Sequence, residues 1–206
     1  MAERVLLLHG LMMRRPAMLP LAWRLRARGF EPLLFTYSTL WREPEAAIQS
    51  LAARLRSLEG APVHLLGHSL GGVIALETLR RFPDLPVARV LCLGSPIAGS
   101  GAARGLKAKG LGFVSGGSGG LLRAGVSALP EGHEIGMIAG DKAMGMGRLF
   151  GQFEGPNDGT VAVAETQLVG LAAHTVIHAS HSGLIASRQA AGLSAQFLDT
   201  GGFEPA

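Results

Sequence analysis

The chain has 206 residues, enough for one domain with a substantial core and short for two. Hydrophobic residues make up 48% of it and charged residues 17%, with aliphatic side chains throughout, which excludes intrinsic disorder. The formal net charge of +4 comes mainly from scattered arginines, with no Lys/Arg run and no interleaved aromatics, so no nucleic-acid-binding surface is indicated.

Val5-Leu6-Leu7-Leu8 is a short apolar run that reads as the first core strand, ending in His9-Gly10-Leu11. Met1-Ala2-Glu3-Arg4 leads straight into it without a signal-peptide pattern, from which a cytoplasmic location is expected. Pro16 to Arg28 reads as a helix with Leu21 and Leu25 on one face, closed by Gly29. Pro32 to Tyr37 is the second strand. Pro44 opens the next helix, where its missing N–H costs nothing, and Ile48, Leu51, Ala52, Leu55 and Leu58 form the buried stripe. Val63 to Leu66 is the third strand and leads through a glycine-rich turn into a helix beginning at Leu70. Val87 to Leu93 is the fourth, and the single cysteine, Cys92, reads as a buried structural thiol within it. Gly94-Ser95-Pro96 then opens the segment 98–129, rich in Gly and Ser, which is expected to be irregular and without an amphipathic helix of the kind used as a lid. Glu134 to Ala139 and Thr175 to Ala179 are the fifth and sixth strands, and Ser182 is expected to cap a closing helix from Gly183 to Leu198. The longest uncharged stretch, Thr166 to Ser187, contains three histidines and two glycines, so a membrane helix is rejected. Strands alternating with helices predict a single α/β domain over 1–206: a doubly wound, mainly parallel sheet of about six strands, with helices on both faces. Strands buried on both faces account for the continuous apolar runs.

The stretch Gly67-His68-Ser69-Leu70-Gly71-Gly72 stands between the third strand and its helix, the context a nucleophile elbow requires. Residues without a Cβ let strand and helix approach while the Ser69 hydroxyl stays accessible. A helix starting at Leu70 also points backbone N–H groups at charge developing beside Ser69.

A serine hydroxyl needs a base to take its proton, and the base needs a third group to orient it. Where the nucleophile sits on such an elbow, the chain order is serine, acid, histidine. Among the downstream acids Asp158 stands out, in the turn-forming cluster Gly155-Pro156-Asn157-Asp158-Gly159, where a short acid can face a site from a rigid loop. Asp141, directly after the fifth strand, is the rival. Of the seven histidines, His181 follows the last strand, at the carboxyl edge where open α/β sheets collect functional groups, and is the candidate base. His9 and His68 read as site-wall residues with Gly10; His64, His133, His174 and His178 read as packing residues in or beside strands. The oxyanion formed on attack needs preset donors: the Leu70 N–H, and from the loop after the first strand the Leu11 N–H, with Met12 as the alternative. No spacing carries a metal signature, and neither a metal nor another cofactor is expected.

Taken together, Val5-Leu6-Leu7-Leu8-His9-Gly10-Leu11, Gly67-His68-Ser69-Leu70-Gly71-Gly72, Asn157-Asp158-Gly159-Thr160-Val161 and His181-Ser182-Gly183-Leu184 resemble the bacterial lipases and esterases of the α/β-hydrolase family. The resemblance implies that fold, a triad of Ser69, Asp158 and His181, and hydrolysis of carboxylic esters, the partner being a small-molecule or lipid ester. An acyltransferase or thioesterase would use the same triad. A non-catalytic binding protein of this fold would need none of these groups, which argues against it. The segment 98–129 is expected to border the substrate entrance through Phe113, Leu121 and Leu122; its Arg104, Lys107, Lys109 and Arg123 suit weak contact with an anionic lipid surface.

Overall fold

The computed structural model describes residues 2–39, 43–58, 60, 62–108, 110, 116–144 and 155–203. Six parallel strands form one sheet: β1 (Arg4–Leu8), β2 (Glu31–Leu34), β3 (Val63–His68), β4 (Val87–Leu93), β5 (Glu134–Gly140) and β6 (Ala173–Ile177), in the order β2-β1-β3-β4-β5-β6. Between them run the helices α1 (Leu19–Arg26), α2 (Pro44–Arg56), α3 (Leu70–Arg81), α4 (Gly101–Ala108) and α5 (Gly119–Ala124), and after β6 come α6 (Gly183–Ala186) and α7 (Arg188–Thr200).

The period-two geometry of a strand explains how continuous apolar runs serve two cores. Leu6 and Leu8 of β1 face the layer holding Ile48, Leu51 and Leu55 of α2 and Val73, Leu76 and Leu79 of α3. Val5 and Leu7 face the other way, toward Leu21 and Leu25 of α1 and Phe197 and Leu198 of α7. In β4 the same alternation sends Val90 and Cys92 to the first layer and Leu91 and Leu93 to the second. Cys92 is fully buried, and loss of solvation pushes its thiol up to about 12, so it is inert packing.

The strand order places the site. The chain leaves β1 for β2 on one side and returns to pair β3 on the other, so the sheet order reverses between β1 and β3. Open α/β sheets bind ligands at the carboxyl ends of strands at such a reversal. His9-Gly10 and Ser69 stand at those two ends.

Several boundaries differ from the sequence reading for identifiable reasons. The first helix is preceded by a 3-10 turn over Arg15–Met18. The second strand stops at Leu34, and the Tyr37 hydroxyl instead donates to the His9 carbonyl. Ser182 makes no capping bond; the closing helix breaks at extended Ser187, whose hydroxyl accepts the Ala190 N–H and starts α7. The described residues of the segment 98–129, expected to be irregular, carry α4 and α5. The former is amphipathic, burying Ala102, Ala103 and Leu106 while Arg104 and Lys107 stay exposed. Of the residues expected at an entrance, Leu122 is buried in the first core layer and Leu121 packs against it, while Lys109 and Phe113 lie outside the described residues. No helix among the described residues is long and apolar enough to cross a membrane.

Candidate active site

The elbow is built by close backbone packing. Ser69 has φ 55° and ψ −122°, a conformation that side-chain-bearing residues avoid and that persists only where the surroundings enforce it. Those surroundings are visible. A Cβ on Gly67 would lie 2.3 Å from the Gly72 nitrogen, and one on Gly71 would lie 2.4 Å from the Leu8 carbonyl oxygen. On Gly72 it would meet the Ser95 hydroxyl at 2.2 Å. Strand β3, helix α3 and the ends of β1 and β4 therefore meet with no room for side chains at these positions. The Ser69 N–H donates to the Leu93 carbonyl at 2.9 Å, which ties the elbow to the end of β4.

Asp158 is buried at 1% exposure, and every one of its polar atoms is placed. Oδ1 accepts the N–H groups of Thr160 (2.9 Å) and Val161 (2.7 Å). Oδ2 lies 2.7 Å from His181 Nδ1, and the Asp158 carbonyl accepts the His181 N–H at 3.0 Å. A carboxylate in that position accepts from Nδ1–H, which leaves Nε2 of the neutral ring as the unprotonated nitrogen. Asp141, the rival acid, accepts instead from His178 Nδ1 at 2.9 Å in a solvent-exposed pair.

Two glycines that the sequence reading passed over make room for this pair. Gly94, at φ +54°, would place a Cβ 3.1 Å from Asp158 Oδ2 and 3.3 Å from His181 Nδ1; Gly140 would place one 2.9 Å from Asp158 Cβ. Both end strands at the carboxyl edge, and that position was the available sequence signal. Gly94 directly follows Leu93, so the Asp158–His181 pair packs beside the strand end that holds Ser69.

His68 does more than form a wall. Its Nε2 lies 2.9 Å from the His181 carbonyl oxygen, and the two rings are 4.6 Å apart. Nε2–H is therefore the donor, and His68, the residue before Ser69, holds the backbone of His181. Burial, and then the nearby His181 and His9, push its pKa down to about 3. Below pH 6.5 the unfolded chain takes up a proton that the folded chain refuses until about pH 3. Stability therefore falls as pH drops through that window, by on the order of 1 kcal/mol per pH unit from this residue. Urea denaturation of His68→Gln beside the unaltered chain at pH 7 and pH 4.5 is expected to show a shallower acid loss in the variant. Parallel losses would mean that His68 does not carry this linkage.

The candidate oxyanion donors on the other side of the elbow lie in the loop after β1. A Cβ on Gly10 would sit 3.1 Å from both Ser69 Cβ and His68 Nδ1, so this backbone lies against the elbow. Met12, the alternative donor, has φ 58° and gives its N–H to Thr39 Oγ1 at 3.2 Å. Half-buried Leu11 remains the candidate from this loop, and Leu70, the first residue of α3, the candidate from the elbow. His9 is stacked on Tyr37, with centroids 4.5 Å apart, and burial lowers its pKa. Among the described residues no group of three or more His, Cys, Asp or Glu side chains is placed to hold a metal ion.

One connection had no sequence signal. Glu165, in the 3-10 turn Val163–Thr166 after the Asp158 loop, accepts the Gly101 N–H at the start of α4 through Oε1 and the Ala162 N–H at 3.0 Å through Oε2. Its carbonyl accepts the Ala98 N–H at 3.0 Å. The Asp158 loop is thus fastened to the beginning of the segment 98–129.

Residues 5–184 match a family model described as the alpha/beta hydrolase family. No curated protein matches the chain. Among solved structures, the mature form of the Bacillus licheniformis lipase BlEst2 is similar at 22% identity, covering 96% of this chain and 92% of that one, with a TM-score of 0.77. The metagenomic carboxyl esterase MGS0156 is similar at 17% identity over 96% of this chain and 75% of that one, with a TM-score of 0.73. A thioesterase domain from the curacin biosynthetic pathway is similar at 13% identity over 97% and 91%, with a TM-score of 0.60. At such identities the likeness is one of fold.

Proposed function

The chain belongs to the alpha/beta hydrolase family, and from that premise we propose that it is a serine hydrolase of carboxylic esters working through an acyl-enzyme. The observation that carries this reading is the 2.7 Å bond from the buried Asp158 carboxylate to His181 Nδ1, set beside the strained elbow of Ser69. In this reading His181 Nε2 takes the Ser69 hydroxyl proton as Oγ bonds to the ester carbonyl carbon. The carbonyl oxygen, now negative, is met by the N–H groups of Leu11 and Leu70. The carbon–oxygen bond to the alcohol then breaks, the alcohol leaves with the proton held by His181, and an ester to Ser69 remains. Water, giving its proton to the same nitrogen, attacks that ester and frees the acid and Ser69.

The names of the similar structures, a lipase, a carboxyl esterase and a thioesterase domain, support an acyl substrate and leave oxygen and sulfur esters in competition. The orienting geometry is indifferent to the leaving atom, so substrate kinetics must decide. A small fluorophosphonate is expected to label the chain once, at Ser69. A panel of p-nitrophenyl esters and matched thioesters of increasing acyl length is expected to show faster turnover of the oxygen esters. A folded chain that takes no label would end the serine-hydrolase reading, and a uniform thioester preference would move it to thioesterase.

A further inference from the structure

A cleft of about 640 Å³ opens beside the loop after β1, lined by that loop, by the residues following β2 and by the first turns of α2. Three features of its lining point to one kind of ligand. Arg14 and Arg15 stand in the wall, exposed, and among the described residues no Asp or Glu lines the cleft with them. Thr36 and Ser50 line it alongside the apolar Pro16 and Ala47. His9 lines it too, at 1% exposure, and its Nε2 is a buried nitrogen without a partner among the described residues. Because His9 Nδ1 lies 3.0 Å from the Gly10 carbonyl oxygen, Nδ1 carries the proton and Nε2 is an acceptor. A buried acceptor left unpaired is uncommon and calls for a donor. The loop that lines the cleft also borders the elbow, since Gly10, next to His9, packs against Ser69.

Resting on the ester-hydrolase reading, we propose that this cleft is a substrate subsite for a polar portion carrying both an oxyanion and a neighbouring hydroxyl. The two guanidiniums hold the oxyanion, as planar forks suited to carboxylate or phosphate, and His9 Nε2 accepts the hydroxyl proton. A glycerol phosphate and a hydroxycarboxylate share this chemistry. In an otherwise apolar site, such polar groups fix orientation and select substrate.

Binding tests this without turnover. Titration calorimetry of the unaltered chain uses glycerol 3-phosphate, glycerate, propyl phosphate and glycerol. At least one of the first two is expected to bind about tenfold or more tighter than glycerol, and glycerol 3-phosphate tighter than propyl phosphate. Which of the two binds better identifies the phosphate or the carboxylate as the source. The Arg14→Gln/Arg15→Gln chain, checked for folding by circular dichroism, is expected to lose the margin over glycerol. The ratio of kcat/KM for a butyryl ester of glycerol 3-phosphate or glycerate to that for monobutyrylglycerol is expected to fall about tenfold in the same variant. Equal binding of anions and glycerol, or anion binding that survives both substitutions, overturns the subsite. Propyl phosphate binding as tightly as glycerol 3-phosphate overturns the role of His9. Fluorophosphonate labelling of the unaltered chain reports separately on the serine-hydrolase reading, so the two failures are distinguishable.

Discussion

Ser69→Ala is expected to take no fluorophosphonate label and to lose about 10⁶-fold in kcat, while unfolding within about 1 kcal/mol of the unaltered chain. The size of the loss follows from the proposed mechanism: without Oγ there is no acyl-enzyme, and the remaining groups can only bind and polarise the ester. The small stability change follows from the elbow. Its conformation is enforced by Gly67, Gly71 and Gly72 and by the Ser69 N–H bond to Leu93, none of which involves the hydroxyl. Alanine meets the same backbone strain at φ 55° as serine. Adding His181→Ala to Ser69→Ala is expected to cost almost nothing further, because the base has no proton to take. The rival serine is Ser95, at the end of β4, but it is fully buried, with its hydroxyl 3.4 Å from the Gly67 carbonyl oxygen. Retained labelling in Ser69→Ala would transfer the nucleophile elsewhere and sink the proposed triad.

What the sequence made legible was local. β4 could be read to its ends because Val87 to Leu93, apolar except for Arg89, lies between Pro86 and Gly94. The elbow could be read because the steric demand of a tight strand-to-helix turn is written in adjacent glycines. Asp158 and His181 could be picked out because each stands in turn chemistry at the carboxyl edge. What stayed hidden depends on residues far apart in the chain. His68 looked like lining because its partner, the His181 carbonyl, lies 113 residues away. Gly94 and Gly140 looked like ordinary strand ends until the Asp158 side chain occupied the space a Cβ would need. The helix α4 was missed because its glycines argue against helix locally, while its start is fixed by Ser100, whose hydroxyl accepts the Ala103 N–H at 3.1 Å, and by distant Glu165. A rotation of the backbone at Ser187, invisible in a helix-compatible sequence, divides the closing helix in two.

Asp158→Asn is expected to lower kcat by about 10⁴-fold with little loss of stability, and here the local bonding dictates the reason. An amide could place its oxygen at either carboxylate position. The Oδ1 position receives two backbone N–H groups, from Thr160 at 2.9 Å and Val161 at 2.7 Å, and an NH₂ there would oppose both donors. The amide oxygen must therefore take that position, and the NH₂ must face His181 Nδ1. A donor facing Nδ1 forces that nitrogen to accept and moves the ring proton to Nε2, the nitrogen proposed as the base. The packing is otherwise unchanged, so the loss should fall on kcat rather than on folding. Nitrogen NMR of the His181 ring is expected to show Nδ1 protonated in the unaltered chain and Nε2 protonated in the variant. Asp141→Asn is the control: its carboxylate pairs with His178 in solvent, and such exposed pairs are worth under about 1 kcal/mol. It should change kcat less than about twofold, since it touches neither His181 nor the elbow. A large loss in Asp141→Asn with a small one in Asp158→Asn would reverse the assignment. An unchanged His181 tautomer in a slow Asp158→Asn chain would leave the acid in place but refute orientation as its means of action.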